Sequence, residues 1–220
     1  MLVEVWSDVV CPWCYIGKRR FAAALDTLAD DPTFDTEIEI VYRPYQLDPT
    51  APPGTTMPVR EAYARKFGGP EQADAMIENI TGVAAADGLE FHLDRAQRAN
   101  TGDAHRLLWF AETSGPPGSQ AALKERLLAD YFVDGRNVAD PDVLVEAAAA
   151  AGIDADEARA FLAGDGGLAE VAEALAYARE AGISAVPTYV IDGRWSIPGA
   201  QDPAVFVQVL QRLASAERAG

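Results

Sequence analysis

The sequence is poor in basic residues and has no long hydrophobic run. Its 220 residues include 18 Lys and Arg against 34 Asp and Glu, so the formal net charge is −16 at pH 7. Proteins that bind nucleic acid contact phosphates through clustered Lys and Arg, and this balance argues strongly against a DNA- or RNA-binding function. No stretch approaches the roughly 20 apolar residues of a membrane-spanning helix. We therefore expect neither nucleic acid nor a membrane as a partner.

The N-terminus lacks the basic segment and apolar core of a secretory signal peptide. The chain starts Met1-Leu2-Val3-Glu4-Val5-Trp6-Ser7-Asp8, with two acidic residues in the first eight. This start predicts a cytoplasmic protein. The hydrophobic content of 49% predicts a sizeable core, either in one domain or in one domain with a large insertion.

Cysteine and histidine are also scarce. Two cysteines are too few for a disulfide-stapled secreted scaffold, and both lie in Cys11-Pro12-Trp13-Cys14. A zinc site is disfavoured because there is no second CxxC and because His92 and His105 do not have zinc-finger spacing. A static structural disulfide is disfavoured because the cytoplasm keeps thiols reduced. The spacing therefore favours a redox-active pair and no metal.

Residues 1–50 predict a strand, a helix and a second strand. Residues 2–7 are rich in Val and Trp, which is typical of a strand. Pro12 is tolerated in the first turn of a helix, and apolar residues then recur at helical spacing as far as Leu28. Asp30-Asp31-Pro32 predicts the end of this helix. Alternation over residues 37–42 predicts the second strand.

Residues 51–58 form a linker rich in helix breakers, and an almost entirely helical block follows it. Its segments are rich in Ala, Leu and Glu, and helices are predicted near 59–67, 71–87, 95–113, 119–132, 141–151 and 155–163. From Leu168 the pattern predicts a helix, a hairpin with Asp192-Gly193 at its turn, and a closing helix. The two outer parts, far apart in sequence, can complete one sheet.

The predicted helix gives the two cysteines different environments. Three residues apart on a helix, their β-carbons are neighbours, and a small local adjustment permits a disulfide. The helix N-terminus carries partial positive charge that would stabilise a thiolate on Cys11. Cys14 lies one turn further in, gains less from this charge and is more shielded. The sequence therefore predicts Cys11 as the nucleophile and Cys14 as the resolving thiol.

Val186-Pro187 is the second candidate site. Proline cannot donate to a strand ladder, and if the bond is cis the backbone of Val186 is open to pair with an incoming peptide. X–Pro bonds in folded proteins are cis in only about 5–6% of cases, so an ordinary proline at the start of a strand is the alternative. Val186-Pro187 lies between a helix and a hairpin in a chain that carries CxxC, and this position favours the cis form.

Several segments together resemble the DsbA-like thioredoxin-fold oxidoreductases, specifically their FrnE-like cytoplasmic branch. The similar segments are the active-site segment Ser7 to Lys18, the cis-proline loop Gly182 to Tyr189, the closing motif Pro198 to Gln201, and Asn100-Thr101 with Ala104 to Leu107. One departure is Ala185, where the family usually has glycine.

The resemblance implies an α/β thioredoxin fold with a large all-α insertion domain. Residues 1–50 and 168–220 would form the discontinuous thioredoxin-like domain, and residues 51–167 the helical insertion. It also implies thiol–disulfide exchange in which Cys11 attacks through a mixed disulfide. The partner would be a disulfide- or thiol-containing protein or small molecule. No cofactor is implied, and glutathione is a candidate redox partner.

Five residues are candidates for contact with this substrate. Pro12 and Trp13 lie between the cysteines, where an exposed indole could pack on a substrate. Val186, followed by Pro187 in a cis bond, would offer its backbone. His105 has two interpretations: a residue near the disulfide that holds or protonates a substrate, or a buried polar residue on a helix.

Two other functions stay open. A glutathione-dependent isomerase or transferase resembling 2-hydroxychromene-2-carboxylate isomerase or the kappa-class glutathione transferases would share the insertion topology. Those enzymes typically carry serine at the position of Cys11 and lack the second cysteine, which argues against them here. A redox-sensing or partner-binding module without enzymatic turnover is the third interpretation.

Overall fold

The computed structural model of the protein describes residues 1–52, 54 and 56–219. Pro53 and Thr55 of the predicted linker, and the terminal Gly220, lie outside the described residues. The strands are β1 (Leu2–Ser7), β2 (Glu39–Pro44), β3 (Met57–Pro58), β4 (Gln97–Arg98), β5 (Thr188–Ile191) and β6 (Trp195–Pro198). The helices are α1 (Pro12–Ala29), α2 (Val59–Phe67), α3 (Pro70–Ala86), α4 (Gly102–Thr113), α5 (Ser119–Phe132), α6 (Pro141–Ala150), α7 (Ala155–Ala163), α8 (Leu168–Glu180) and α9 (Pro203–Ala219).

Four of the strands form one sheet in the order β2-β1-β5-β6. β2 runs parallel to β1, whereas β5 and β6 run antiparallel to their neighbours. The β5–β6 turn is the predicted hairpin: Asp192 and Gly193 both have positive φ, and the Arg194 N–H donates to the Ile191 carbonyl at 3.0 Å. Paired positive φ values match the twist of a hairpin. Strands from both ends of the chain therefore complete one sheet, as predicted.

One face of this sheet packs on α1 and α9. The shared core is aliphatic and aromatic and contains Val3, Val5, Phe21, Ala24, Leu28, Tyr42, Tyr189, Ile191, Ile197, Phe206 and Leu210. At its centre the rings of Phe21, Tyr189 and Phe206 lie 4.7–5.1 Å apart, two of the three pairs edge to face. Such pairs add to the stabilisation from buried area alone, so this cluster fixes α1 and α9 on the sheet.

A second core lies within the helical insertion and reaches α1. It is built largely from leucines and alanines of α4, α5 and α6, including the fully buried Leu107, Leu123, Leu127 and Leu144. Tyr15 and Ile16 of α1 belong to it, and the Tyr15 ring stacks on Phe91 at 5.8 Å. Because α1 contributes to both cores, the insertion is packed directly against the helix that begins at the cysteines.

Gln120 of α5 provides a further link between the insertion and the sheet. Its amide oxygen accepts from the backbone N–H of Tyr42 at 2.9 Å, and its amide nitrogen donates to the Tyr42 carbonyl at 3.0 Å. β2 is an edge strand, and unpaired edge groups are available to other chains. The Gln120 side chain therefore fills one pairing position of the β2 edge that no strand fills.

The predicted α/β architecture with a helical insertion is confirmed, but two elements differ from the sequence prediction. The helix predicted over 95–113 begins only at Gly102, because Gln97 and Arg98 pair with β3 and the Arg98 guanidinium binds Asp48 at 2.6 Å. Tertiary pairing here overrides a helical composition. β2 covers 39–44 rather than 37–42, since its register with β1 places Glu39 opposite Leu2. The domain boundaries, at 50/51 and 167/168, stay a prediction.

None of the helices in the described part of the chain is both long and apolar enough to cross a bilayer.

Gly17 tests the packing of α1 on the sheet. A β-carbon there would lie 2.8 Å from the Tyr189 hydroxyl oxygen and 3.0 Å from Pro187 Cγ, whereas one at Gly82 of α3 would meet nothing within 4 Å. We expect Gly17→Ala to lower the free energy of unfolding by about 1–3 kcal/mol through overpacking. Gly82→Ala, the matched control, should raise it by about 0.5–1 kcal/mol. Urea denaturation measures both, and a Gly17→Ala variant as stable as the wild type would contradict this contact.

Candidate active site

The two cysteines lie at the start of α1, directly after the central strand. Cys11 is the N-cap residue with extended backbone (φ −91°, ψ 114°), and Pro12 occupies the first helical turn, as predicted. The Cys14 N–H donates to the Cys11 carbonyl at 3.0 Å, closing the first turn. Both thiols are free. The fold therefore holds a dithiol at the positive end of an 18-residue helix.

The Cys11 sulfur faces the loop that precedes β5. Its thiol lies 3.6 Å from the carbonyl oxygen of Val186 and donates to it. The Val186–Pro187 peptide bond is cis. Cys11 is only 2% exposed and Cys14 only 3%, so overall exposure does not distinguish the two thiols. What distinguishes them is position, because Cys11 lines an open groove and Cys14 does not.

This groove has a volume of about 730 Å³ and lies between the sheet domain and the insertion. One wall contains the start of α1 and the 184–186 backbone, and the other contains α2 and α3. Its lining is mainly apolar and includes Val10, Leu47, Met57, Val59, Met76 and Ile80. The Trp13 indole is 37% exposed on the rim, and Arg65 and Lys66 of α2 add positive charge. A largely apolar groove beside a thiol can hold a polypeptide or an organic disulfide.

Cys14 is kept in its protonated form by its surroundings. Burial raises the pKa of the Cys14 thiol well above its ordinary value, and the hydrogen bond to Cys11 and the charge of that neighbour raise it further. Lys124 acts in the opposite direction. Burial outweighs this opposing charge and makes Cys14 resist ionisation, so Cys14 reacts only when its proton is removed in place.

Asp8 is a fully buried carboxylate in the turn between β1 and Cys11. It accepts hydrogen bonds from the backbone N–H groups of Val9 and Leu47, both at 2.8 Å. Burial alone would raise the pKa of Asp8, but the hydrogen bond and attraction of His105 and the Leu47 N–H lower it below the usual value. Asp8 thereby ties the cysteine turn to the segment that follows β2.

His105 lies behind this turn. Its Nε2 atom is 3.3 Å from Asp8 Oδ1 and 3.0 Å from the Tyr45 carbonyl oxygen. Both neighbours are acceptors, so Nε2 carries the hydrogen. The residue is 2% exposed and is not among the described residues that line the groove. Three of the predicted substrate-contacting residues line the groove: Pro12, Trp13 and Val186. His105 does not line it. Pro187 follows Val186 in the chain and is buried.

Sequence inspection missed two buried charges next to the dithiol, Asp8 and Lys124. Asp8 lies within the active-site motif, so its position was a usable signal. Lys124 of α5 is 1% exposed and has no local motif. Its spacing of three and four from Leu127 and Leu128 placed it on the apolar face of a predicted helix, which is unusual for lysine.

Metal ligands are not grouped in this region. Among the described residues, no cluster of three or more His, Cys, Asp or Glu side chains could hold a metal ion.

Comparison with known proteins places the chain in a family. The family described as DSBA-like thioredoxin domain matches residues 2–211. The chain belongs to this family. The thioredoxin fold with a helical insertion is therefore confirmed, and so is the resemblance to the DsbA-like family.

Two solved structures and one further protein are similar to this chain. The crystal structure of a probable DsbA oxidoreductase from Streptomyces coelicolor is 39% identical with a TM-score of 0.86, covering 99% of this chain and 91% of that one. An uncharacterized protein of Bacillus subtilis, YwbO, is 26% identical, with 94% of each chain covered. The cytosolic disulfide reductase DsbM of Pseudomonas aeruginosa, solved with GSH, is 19% identical with a TM-score of 0.65, covering 97% and 98%, which is a likeness of fold.

The burial of Cys14 in this DsbA-like chain predicts unequal labelling by iodoacetamide. In a Cys14→Ser variant, we expect Cys11 to be alkylated at pH 7 at least about tenfold faster than Cys14 is in a Cys11→Ser variant. The reason is that a raised pKa keeps the Cys14 thiol protonated at neutral pH. The alkylation rate of Cys14 should still increase between about pH 8 and pH 10. The rate of a free thiol, with a pKa near 8.5, levels off in about this range.

Labelling is followed by mass, and each rate is normalised to the same variant unfolded in urea. Equal normalised rates for the two folded variants would contradict the difference between the thiols.

Proposed function

We propose that this DsbA-like protein is a thiol–disulfide oxidoreductase in which Cys11 is the nucleophile and Cys14 the resolving thiol. The observation that carries the proposal is the arrangement of the dithiol. One sulfur lines a substrate-sized groove at a helix N-terminus, and the other is sealed behind it within the same helical turn. Membership of the DSBA-like family supports it.

The exchange runs through a mixed disulfide. The Cys11 thiolate attacks one sulfur of the substrate disulfide, an S–S bond forms between them, and the other substrate sulfur leaves with the electron pair as a thiolate. Cys14 then loses its proton and attacks Cys11 Sγ, which releases the first substrate sulfur as a thiolate. The substrate is reduced by two electrons and the protein is oxidised to the Cys11–Cys14 disulfide. The reverse sequence oxidises a substrate dithiol, and the relative reduction potentials decide the direction.

The groove supplies the substrate contacts. Val186 presents its carbonyl oxygen next to Cys11, so an extended chain can pair with this backbone while its sulfur meets Cys11. Pro12 and the exposed Trp13 indole offer apolar surface beside the reacting sulfur. Lys66 favours an acidic group on the substrate, whereas Arg65 is already paired with Glu61. His105 does not face the substrate; it holds the Asp8 turn in place through Asp8 and the Tyr45 carbonyl.

A cytoplasmic protein of the FrnE-like branch, with glutathione as its redox partner, is the more specific form of this proposal. The Pseudomonas aeruginosa protein of the same fold is described as a cytosolic disulfide reductase and was solved with GSH, which supports it. Glutathione carries carboxylates, and the groove rim carries Arg65 and Lys66. The substrates would be disulfide- or thiol-containing proteins or small molecules, and an isomerase activity would use the same two thiols.

Turnover of a protein disulfide tests the proposal. We expect the wild type to catalyse insulin reduction with glutathione or dithiothreitol as donor. Cys11→Ser should abolish turnover, because it removes the attacking sulfur. Cys14→Ser should lower turnover at least about tenfold and accumulate a mixed disulfide on Cys11, because the internal step that releases the substrate is lost.

Trp195→Ala, an exposed position on β6 away from the groove, serves as the matched control and should keep wild-type turnover. Full activity of Cys14→Ser in the presence of glutathione would contradict the proposal and favour a glutathione-dependent isomerase or transferase. A reversible thiol change without any turnover in the wild type would indicate a sensing or binding module.

A further inference from the structure

Lys124 is a buried cation that has no role in the fold or in the exchange steps described above. It lies on α5 of the helical insertion and is 1% exposed. Its Nζ atom makes no hydrogen bond with any of the described residues. Removing an ammonium group from water is costly, and an apolar side chain of similar volume would usually be preferred in such a place. A lysine retained there therefore needs an electrostatic partner.

The groups that face Lys124 come from three elements and one turn. Cys14, Cys11 and Lys18 belong to α1, Asp8 belongs to the turn after β1, and Tyr42 belongs to β2 with its ring centroid 5.9 Å from Nζ. On α5 itself the neighbouring charge is Glu125, and Tyr189 of β5 lies close to both cysteines.

Most of these groups already have partners. Lys18 is paired with Glu125 at 2.5 Å, and Glu125 also accepts from the Tyr15 hydroxyl at 2.9 Å. The Asp8 carboxylate accepts two backbone N–H groups and contacts His105, so its charge is present throughout the reaction. Burial raises the pKa of the Tyr42 and Tyr189 hydroxyls, which keeps both neutral. The negative charges near Lys124 that appear and disappear during exchange are therefore those of the cysteines.

Burial and mutual attraction act in opposite directions on the pKa values of Lys124 and Cys14. Burial lowers the pKa of Lys124, while the negative charges of Cys14, Asp8 and Cys11 oppose this effect. Burial raises the pKa of Cys14, and the positive charge of Lys124 opposes that effect. The Lys124 ammonium ion and the Cys14 thiolate therefore stabilise each other, because the pair brings no net charge into the protein interior.

We propose that Lys124 is a positioning residue for the resolving step, a buried cation from the helical insertion that stabilises the Cys14 thiolate beneath the reacting disulfide. The proposal rests on the oxidoreductase function proposed above and adds a role for the insertion domain, which would then supply charge to the dithiol as well as a wall of the groove.

The step balances as follows. In the mixed disulfide, the Cys14 thiol gives up its proton to water that enters by the groove, while Lys124 is held close to it as the ammonium ion. One proton is therefore released to solvent here, and one is later taken up from solvent by the leaving sulfur. The Cys14 thiolate attacks Cys11 Sγ, the Sγ–Sγ bond forms, and the bond from Cys11 to the substrate sulfur breaks. The electron pair leaves with that sulfur, which takes up a proton from solvent through the groove. In the reverse direction Cys14 is the leaving thiolate, and Lys124 stabilises the charge as it appears.

The test separates the two chemical steps with one chromogenic probe, the aromatic disulfide dithiobis(nitrobenzoate). Mixing it with reduced protein releases a first coloured thiolate when Cys11 attacks, at a rate that depends on reagent concentration. A second coloured thiolate is released when Cys14 resolves the mixed disulfide, at a rate that does not depend on reagent concentration. Cys14→Ser, which should lose the second phase, shows that this phase reports Cys14.

Lys124→Met, which keeps the side-chain volume and removes the charge, is the test variant. We expect its second phase to be about tenfold slower at pH 7 and its pH midpoint to lie about one unit higher, because one pKa unit is a tenfold change in the thiolate fraction at pH values below the pKa. The first phase should change much less. Lys124→Arg keeps the charge and should restore the wild-type midpoint. An unchanged midpoint in Lys124→Met, or an equal slowing of both phases with no shift, would overturn the proposal.

A measurement on the wild type keeps the proposal testable even if Lys124→Met fails to fold. With carbon-13 lysine, the buried Lys124 ε-carbon is titrated by NMR in the reduced and in the oxidised protein. The disulfide carries no charge, so we expect the pKa of Lys124 to be lower in the oxidised protein. Identical titrations would overturn the proposal. A wild type that shows no second phase would instead refute the oxidoreductase function itself, and the role of Lys124 with it.

Discussion

The structure depends on the burial of α1 on two sides at once. On one side Phe21, Ala24 and Leu28 pack into the core of the sheet, and on the other Tyr15 and Ile16 pack into the core of the insertion. This double contact seals Cys14 and leaves Cys11 at the edge of the groove between the two parts. The different environments of the thiols thus follow from hydrophobic packing, which excludes water from one sulfur and not from the space beside the other.

Desolvation also explains why a few buried charges affect the thiols strongly in a chain with sixteen excess acidic residues. Exposed charges are screened by water and salt, and most ion pairs on this surface contribute little to stability. Asp8 and Lys124 are instead almost completely buried beside the dithiol. In such surroundings each charge acts strongly on its neighbours, so these two residues influence the thiols more than the net charge of the surface does.

Local signals predicted much of the fold. The first-turn proline marked the start of α1, and Asp192-Gly193 marked the hairpin, because both residue types act through their own backbone conformation. The helix expected at 95–113 was wrong over its first part, where Arg98 binds Asp48 and its backbone pairs with β3. In the candidate site, Cys11, Cys14 and Val186-Pro187 were found from motif and spacing. Asp8 and Lys124 were missed because their burial near the dithiol depends on packing between segments far apart in sequence.

The sequence by itself determined the order of most helices and strands of this protein, that its two thiols share one helical turn, and which family it resembles. These properties depend on residues within a few positions of one another. Only the tertiary structure decided that the groove has one wall from each part of the chain, that His105 lies behind the cysteine turn and outside the groove, and that a buried lysine of the insertion lies near the dithiol. The reason is physical: burial and electrostatic environment depend on distances between residues that lie as far apart in sequence as Cys14 and Lys124.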